Sequence, residues 1–100
     1  MCARVVSANV EPSRLNEAIE LWQTNVAPSA RSQAGFRGAR LFVNRDSGDV
    51  LSMGLWESQA HFEATVQWNR GQLAMFAELL IGERLVRGFE LAAESLSEAT

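Results

Sequence analysis

The 100-residue sequence contains no lysine, no tyrosine, one cysteine and one histidine. The single cysteine, Cys2, excludes an intrachain disulfide, and we interpret it as an ordinary strand residue rather than a nucleophile. One histidine and one cysteine without a carboxylate cluster do not make a closed zinc site, so we expect no metal. A glycine-rich phosphate loop is also missing, so we expect no flavin or nicotinamide cofactor.

Positive charge is sparse as well. The nine basic residues are all arginines spread along the chain, and the formal net charge is −3. Nucleic-acid binders concentrate basic residues on one surface, so we expect neither nucleic acid nor an anionic membrane as a partner. No apolar run approaches the roughly 18 residues of a membrane span. Residues 1–10 lack the pattern of a secretory signal, which favours a cytoplasmic location.

The composition is typical of a globular protein, because 47% of the residues are hydrophobic and 21% are charged. The length suits one domain and is too short for two. We predict a single domain over residues 1–94, followed by a frayed polar tail at residues 95–100.

The first third of the chain changes its hydrophobic period at Pro12. Residues 3–10 are rich in β-branched side chains and predict a strand that ends before this proline, which suits the first turn of a helix. An amphipathic helix to about residue 32 is predicted by apolar residues at spacings of three and four, namely Leu15, Ile19, Trp22 and Val26. We expect a kink or a short break at Pro28.

The middle of the chain carries the best hairpin signal. Residues 37–45 and 50–57 predict two strands joined by the turn at residues 46–49, which explains Asp46 and Asp49 better than a metal does. Ser58 is a predicted N-cap, and the helix that follows is expected to end at Gly82. The last strand is predicted over residues 84–93.

The resulting order, β-α-β-β-α-β, predicts an α+β ferredoxin-like fold: a four-stranded antiparallel sheet with two helices on one face. Along residues 50–57, Leu51, Met53 and Leu55 point to one side while Ser52, Gly54 and Trp56 point to the other, so neither side is a charged surface. Two helices leave the other face of the sheet uncovered. Burying several hundred Å² of apolar surface on that face contributes on the order of 10 kcal/mol to the free energy of association, before the entropic cost of association. We therefore predict a homodimer that pairs sheet against sheet.

Four short segments occur in a characteristic order: Ala3-Arg-Val; Pro12 with Leu15-Asn-Glu-Ala-Ile19; Ala34-Gly-Phe-Arg-Gly38; and Leu55-Trp-Glu-Ser58. Together, over residues 3–93, they resemble the antibiotic-biosynthesis-monooxygenase family of dimeric α+β barrels. The resemblance implies oxidation of aromatic compounds without metal or flavin, with the tryptophan of the last segment, Trp56, in the site. The family's asparagine four residues earlier is replaced by Ser52, and its tyrosine six residues later by Phe62, which has no hydroxyl.

The candidate site follows from the side of the sheet that Trp56 occupies. If that side faces the helices, an apolar cleft has Trp22, Trp56, Phe62 and Val66 as its walls, Gly54 as free space and Ser52 as its polar feature. Plain core packing of Trp56 is the alternative. His61 and Glu57 are interpreted as a solvated surface pair, and Trp68 as part of either a lid or a dimer surface.

Two functions remain open. The first is an oxygenase-like protein that binds a small flat apolar aromatic compound, a phenol or quinone, with Trp56 and Ser52 as candidate catalytic residues. The second is a non-catalytic homodimeric ligand-binding or interaction module of the same fold, which the missing tyrosine and asparagine favour.

Overall fold

Four antiparallel strands form one sheet, and all the helices lie on one of its faces, as the sequence predicts. The computed structural model describes residues 1–97. The strands are β1 (Cys2–Val10), β2 (Phe36–Val43), β3 (Asp49–Trp56) and β4 (Leu80–Glu90), in the spatial order β2-β3-β1-β4. The predicted hairpin is confirmed, with both strands beginning one residue earlier than expected.

The first helical connection runs from residue 12 to residue 31 without leaving its helical path. A 3₁₀ turn at Pro12–Arg14 leads into α1 (Leu15–Leu21), a π-helical turn at Trp22–Val26 and α2 (Ala27–Arg31). Pro28 has no N–H to donate and its ring crowds the preceding turn, so the widened π turn accommodates it. The predicted irregularity is therefore real but lies one turn before the proline.

The second connection differs from its prediction. Two short helices, α3 (Gln59–Ala64) and α4 (Val66–Ala74), replace one long helix. They meet at Thr65, whose hydroxyl donates towards the carbonyl oxygens of His61 and Phe62 and so competes with the regular helix. The prediction that this helix extends to Gly82 was wrong, because α4 ends eight residues earlier.

Gly82 instead lies inside β4, which begins at Leu80 rather than Arg84. Its φ of +70° coincides with a register shift in the β1–β4 ladder between Ser7 and Asn9. A glycine with positive φ can end a helix or form a β-bulge, and here it forms the bulge. Residues 91–97 have no regular secondary structure. Residues 98–100 of the predicted polar tail lie outside the described part of the chain.

The layer between sheet and helices is divided into an apolar end and a polar aromatic end. At the first, Val10, Leu15, Ala18 and Leu79 form a buried cluster. At the other, Trp56 is buried together with two polar residues, Arg4 and Thr65. No helix among the described residues is long and apolar enough to cross a membrane.

Candidate functional site

Trp56, the last residue of β3, faces the helices and is only 1% exposed. Two aromatic rings meet it edge to face, Phe36 at 5.6 Å and Trp68 at 5.8 Å between ring centroids. Its indole Nε1 is buried and has no hydrogen-bond partner among residues 1–97. A buried donor without a partner costs about 1–3 kcal/mol. Such a group in an otherwise packed layer indicates a place where an acceptor from outside the chain can bind.

Ser52 lies two pleats before Trp56 on the same face of β3, and Trp22 reaches it from the π-helical turn. The indole Nε1 of Trp22 donates to the Ser52 hydroxyl oxygen over 3.1 Å. Because a serine hydroxyl can accept and donate at once, Ser52 keeps its own proton for another acceptor. This hydrogen bond joins the first residue of the π-helical turn to β3.

Two adjoining cavities separate the sheet from the helices around Ser52. The inner cavity, of about 40 Å³, is lined by Trp56, Gly54, Trp68 and Arg4 among others. The outer cavity, of about 70 Å³, is lined by Leu41, Gln72, Leu73 and Phe76 among others. Both are partly open to solvent, and both share five lining residues: Val6, Trp22, Val26, Ser52 and Asn69.

The polar groups of the cavities differ in kind. The inner cavity presents donors, the Trp56 indole and the Arg4 guanidinium. In the outer cavity the side-chain oxygen of Gln72 is buried and lacks a partner among the described residues. Ser52 and Asn69 are polar residues that line both cavities, and the remaining lining side chains are apolar or aromatic. A few polar groups on an apolar wall are typical of small-molecule sites.

Arg4 is the most unusual of these residues, because its guanidinium is buried on the helix-covered face of β1. It donates to the carbonyl oxygen of Phe62 over 2.6 Å and to the Thr65 hydroxyl over 3.2 Å. Its carbon Cζ lies 4.3 Å from the Phe62 ring centroid and 5.7 Å from that of Trp56. Desolvation by burial lowers the pKa of Arg4, although an arginine remains charged at neutral pH.

Four of the six residues predicted for the site are brought together: Trp22, Ser52, Gly54 and Trp56 all line the inner cavity. Phe62 and Val66 are not among the described residues that line either cavity. The Phe62 ring instead covers Gly88 of β4, where an added Cβ would lie 2.8 Å from its Cζ atom. Helix α3 contacts β1 and β3, with its Phe62 ring against β4, and the part of the wall predicted for Phe62 is formed by residues of α4 instead.

Sequence reasoning missed Arg4 as a site residue, although it shares its side of the strand with Val6 and Ala8. It also left Trp68 undecided between a lid and a dimer surface. The structure places Trp68 in the wall of the inner cavity, where its Nε1 donates to the Ser29 hydroxyl over 2.7 Å. This bond joins α4 to α2, and it was not recognisable from residue spacing.

The remaining candidates occupy structural positions. The ring of His61 is bonded to the Ser58 hydroxyl at 2.8 Å, and the same hydroxyl accepts from the His61 backbone N–H, which confirms the predicted cap. A surface pair of Glu57 with His61 was expected. Instead, the Glu57 carboxylate oxygen lies 3.7 Å from a guanidinium nitrogen of Arg37. Asp49 accepts from the Asn9 side chain at the hairpin. Within residues 1–97, no three metal-ligating side chains come together.

The family model described as antibiotic biosynthesis monooxygenase matches residues 1–70 of the sequence. The chain belongs to the antibiotic biosynthesis monooxygenase family. The match includes β3, Trp56 and the part of α4 that carries Trp68, so it contains most of both cavities. Among curated proteins, no sequence matches this chain.

Solved structures agree with the family in fold. A monooxygenase of Streptomyces coelicolor, ActVA-Orf6, in complex with the ligand nanaomycin D, is 19% identical with a TM-score of 0.78, covering 97% of this chain and 92% of its own. A protein of unknown function from Nitrosomonas europaea is 17% identical with a TM-score of 0.76, covering 98% and 95%. SnoaB, a cofactor-independent oxygenase from Streptomyces nogalater, is 17% identical with a TM-score of 0.72, covering 97% of both chains.

Proposed function

We propose that this protein is a cofactor-independent oxygenase that binds a flat aromatic compound of the phenol or quinone type between its sheet and helices. The observation that carries the proposal is the buried, unpartnered indole N–H of Trp56 at the edge of an aromatic cavity. Membership of a monooxygenase family and structural similarity to a cofactor-independent oxygenase support the reaction class.

The shape and chemistry of the cavities support an aromatic ligand. Rings of Trp22, Trp56 and Trp68 surround the inner cavity, and apolar side chains continue the wall into the outer one. The two cavities together, at about 110 Å³, are still smaller than the roughly 150 Å³ of an engineered cavity that takes up benzene. A single ring therefore spans both cavities beside Ser52 and reaches into their open ends, and the further rings of a larger compound extend towards solvent.

Polar groups then fix the orientation of the ring. Ser52 lies where the two cavities meet and has a hydroxyl proton to donate to a carbonyl or phenol oxygen. Trp56 supplies a second donor from the inner end. The unpartnered oxygen of Gln72 supplies an acceptor at the outer end. A compound with an oxygen substituent at each end satisfies all three groups.

The substrate itself supplies the electrons for the reaction. An ionised anthrone-type ring transfers electrons to dioxygen, and its CH₂ group becomes a carbonyl. One oxygen atom of O₂ enters the product and the other leaves as water, together with the two hydrogens lost from carbon. In this reaction the protein binds and orients the ring and stabilises its ionised oxygen.

A second candidate function is ligand binding without turnover. It is favoured by Phe62, which occupies the position of the family's tyrosine, carries no hydroxyl and covers Gly88 instead of lining a cavity. In this case the same residues hold the aromatic compound, and dioxygen is not consumed.

We also propose that the protein forms a homodimer through the helix-free face of its sheet. In the single chain that face exposes large apolar side chains on three strands: Phe42, Leu51, Leu85 and Phe89. Sheet faces that meet water are normally polar, and monomers rarely leave such a patch uncovered. A second copy provides a matching apolar face, because a two-fold interface pairs the same surface from both subunits.

Oxygen uptake with anthrone, together with binding of anthrone followed by tryptophan fluorescence, tests the function. We expect uptake by the unmodified protein and at least a tenfold loss in Trp56→Phe, which keeps an aromatic ring but removes the indole donor. Ser32→Ala, an exposed serine outside the cavities, serves as the control and should keep full activity. Binding without uptake selects the second candidate, and the absence of binding refutes both.

A further inference from the structure

Arg4 is a buried cation without an anionic partner among the described residues. Its two hydrogen bonds go to neutral acceptors, the Phe62 carbonyl and the Thr65 hydroxyl. The ion pairs within residues 1–97 are Arg14 with Glu17 and Arg37 with Glu57, and Arg4 is in neither. Removing a guanidinium from water is costly unless a counter-charge compensates. Residues 1–97 therefore contain a buried positive charge for which they provide no negative one.

The neighbours of Arg4 leave space for an incoming group. Its direct partners across the sheet are both glycines, Gly54 on β3 and Gly88 on β4. The Phe62 ring occupies the space above Gly88, whereas the space above Gly54 belongs to the inner cavity. The nearest atom to an added Cβ at Gly54 is the indole Nε1 of Trp56, at 3.4 Å. The unpartnered N–H and the free space thus adjoin.

We propose that Arg4 and the Trp56 indole N–H form a subsite for an ionised oxygen on the aromatic ligand, a phenolate or an enolate. This inference rests on the proposed aromatic site and states in which form the ligand binds. Both groups are donors only, because a guanidinium and an indole have no acceptor to offer. The atom between them must therefore be an acceptor, and the charge of Arg4 favours an anionic one.

Other charged side chains near Arg4 do not fill the role of counter-ion. On β4 the nearest ionisable residue on the same face is Glu90, which lies opposite Cys2 and is exposed. On α3, Glu63 is exposed and accepts from Gln59, and the His61 ring is bonded to Ser58. On β3 the residues of that face are Gly54, Ser52 and Trp56, which carry no charge.

The subsite has a consequence for the reaction. When the phenol or enol ionises, its O–H proton passes to solvent and the oxygen keeps the electron pair of the O–H bond. The subsite binds the resulting anion and so favours this ionisation. An anion of this kind gives up an electron to dioxygen more readily than the neutral compound. Arg4 thereby supplies the activation, since no Asp, Glu or His among the described residues lines either cavity.

Three probes with the same ring test the inference: 4-nitrophenol, which ionises near neutral pH; 4-nitroanisole, which cannot ionise; and 4-nitrobenzoate, which carries a carboxylate. Absorption spectra give the pKa of bound 4-nitrophenol, and tryptophan fluorescence gives the affinities. We expect the anion to bind at least tenfold more tightly than 4-nitroanisole. A tenfold preference for the anion over a neutral ring corresponds to a fall of about one unit in the pKa of bound 4-nitrophenol.

Two variants separate charge from space. Arg4→Met keeps the length of the side chain and removes the charge, so the pKa of the bound phenol should return most of the way to its free value, with only the Trp56 donor left in the subsite. Arg31→Gln, which removes an exposed arginine, should change nothing. Gly54→Ala keeps the charge and removes the space, because its Cβ fills the subsite at an ordinary contact distance and a strand backbone accepts alanine. It therefore tests the subsite independently if Arg4→Met does not fold. We expect it to lower anion affinity at least tenfold.

The outcomes distinguish the inference from the function on which it rests. Equal affinity for the phenol and 4-nitroanisole, with no shift of the phenol pKa, refutes the subsite and leaves the aromatic site intact. Failure of all three probes to bind refutes both. Tighter binding of 4-nitrobenzoate than of 4-nitrophenol retains an anion subsite at Arg4 but overturns its assignment to a phenolate.

Discussion

Arg4 lies directly opposite Gly54 across the β1–β3 ladder. This pairing places the long side chain of a buried cation beside a residue with no side chain, so a cavity remains where two larger residues would have packed together. Trp56 closes that cavity from the end of β3, and its unpartnered Nε1 is the atom nearest to the space beside Gly54. Charge, space and an unused donor thus meet at one point of the sheet.

The hydrogen bond between Trp22 and Ser52 joins the π-helical turn to the sheet, and its loss should be measurable. Ser52→Ala removes the acceptor and leaves a half-buried indole N–H without a partner, at a cost of about 1 kcal/mol in the free energy of unfolding. In a Trp22→Phe background the same change should cost close to nothing, because the donor is already gone. Urea denaturation of the four proteins in this cycle measures the coupling, and equal costs in both backgrounds would show that the bond contributes nothing.

The cap of α3 predicts a second stability effect. Ser58→Ala removes the oxygen that accepts from the His61 backbone N–H and contacts the His61 ring. We expect a loss of about 1 kcal/mol in the free energy of unfolding, as is usual for a serine cap. Ser13→Ala, at an exposed position in the 3₁₀ turn, is the matched control. An unchanged urea midpoint for Ser58→Ala would contradict the assigned cap.

The helix-free face predicts the effect of an introduced charge on assembly. Leu51→Glu places a carboxylate in the centre of the proposed interface, where desolvation of the charge disfavours association. Sedimentation equilibrium at micromolar concentration should give a dimer for the unmodified protein and a monomer for this variant. Met75→Glu makes a similar change at an exposed residue after α4 and should stay dimeric. A monomeric unmodified protein would refute the dimer.

Strand alternation was the most informative signal in the sequence. Because side chains alternate with a period of two, placing Trp56 towards the helices also fixed Ser52 and Gly54 on that side. The same alternation linked Arg4 to Val6 and Ala8. Whether the Arg4 side of β1 faces the helices, however, depends on how β1 pairs with β3. Pairing between distant strands is not encoded in local spacing.

Helical periodicity was less informative in the second half of the chain. Apolar residues at helical spacing continue past Ala74, but the helix is interrupted at Thr65 and ends at Ala74. Gly82, which was expected to end the helix, forms a bulge in β4. Phe62 was expected in the cleft because a helix was assumed to run over it. The actual position of α3 depends on Gly88, twenty-six positions further along, which offers its ring a place to pack. Contacts of this kind require the tertiary structure.

A crystal structure of the protein with 4-nitrophenol tests the central claim most directly. We predict the ring between sheet and α4 beside Ser52, with the ionised oxygen within hydrogen-bonding distance of the Trp56 indole nitrogen and the Arg4 guanidinium. A ring bound elsewhere, or an inner cavity filled by a rearranged Trp68 with no ligand beside Trp56, would contradict it.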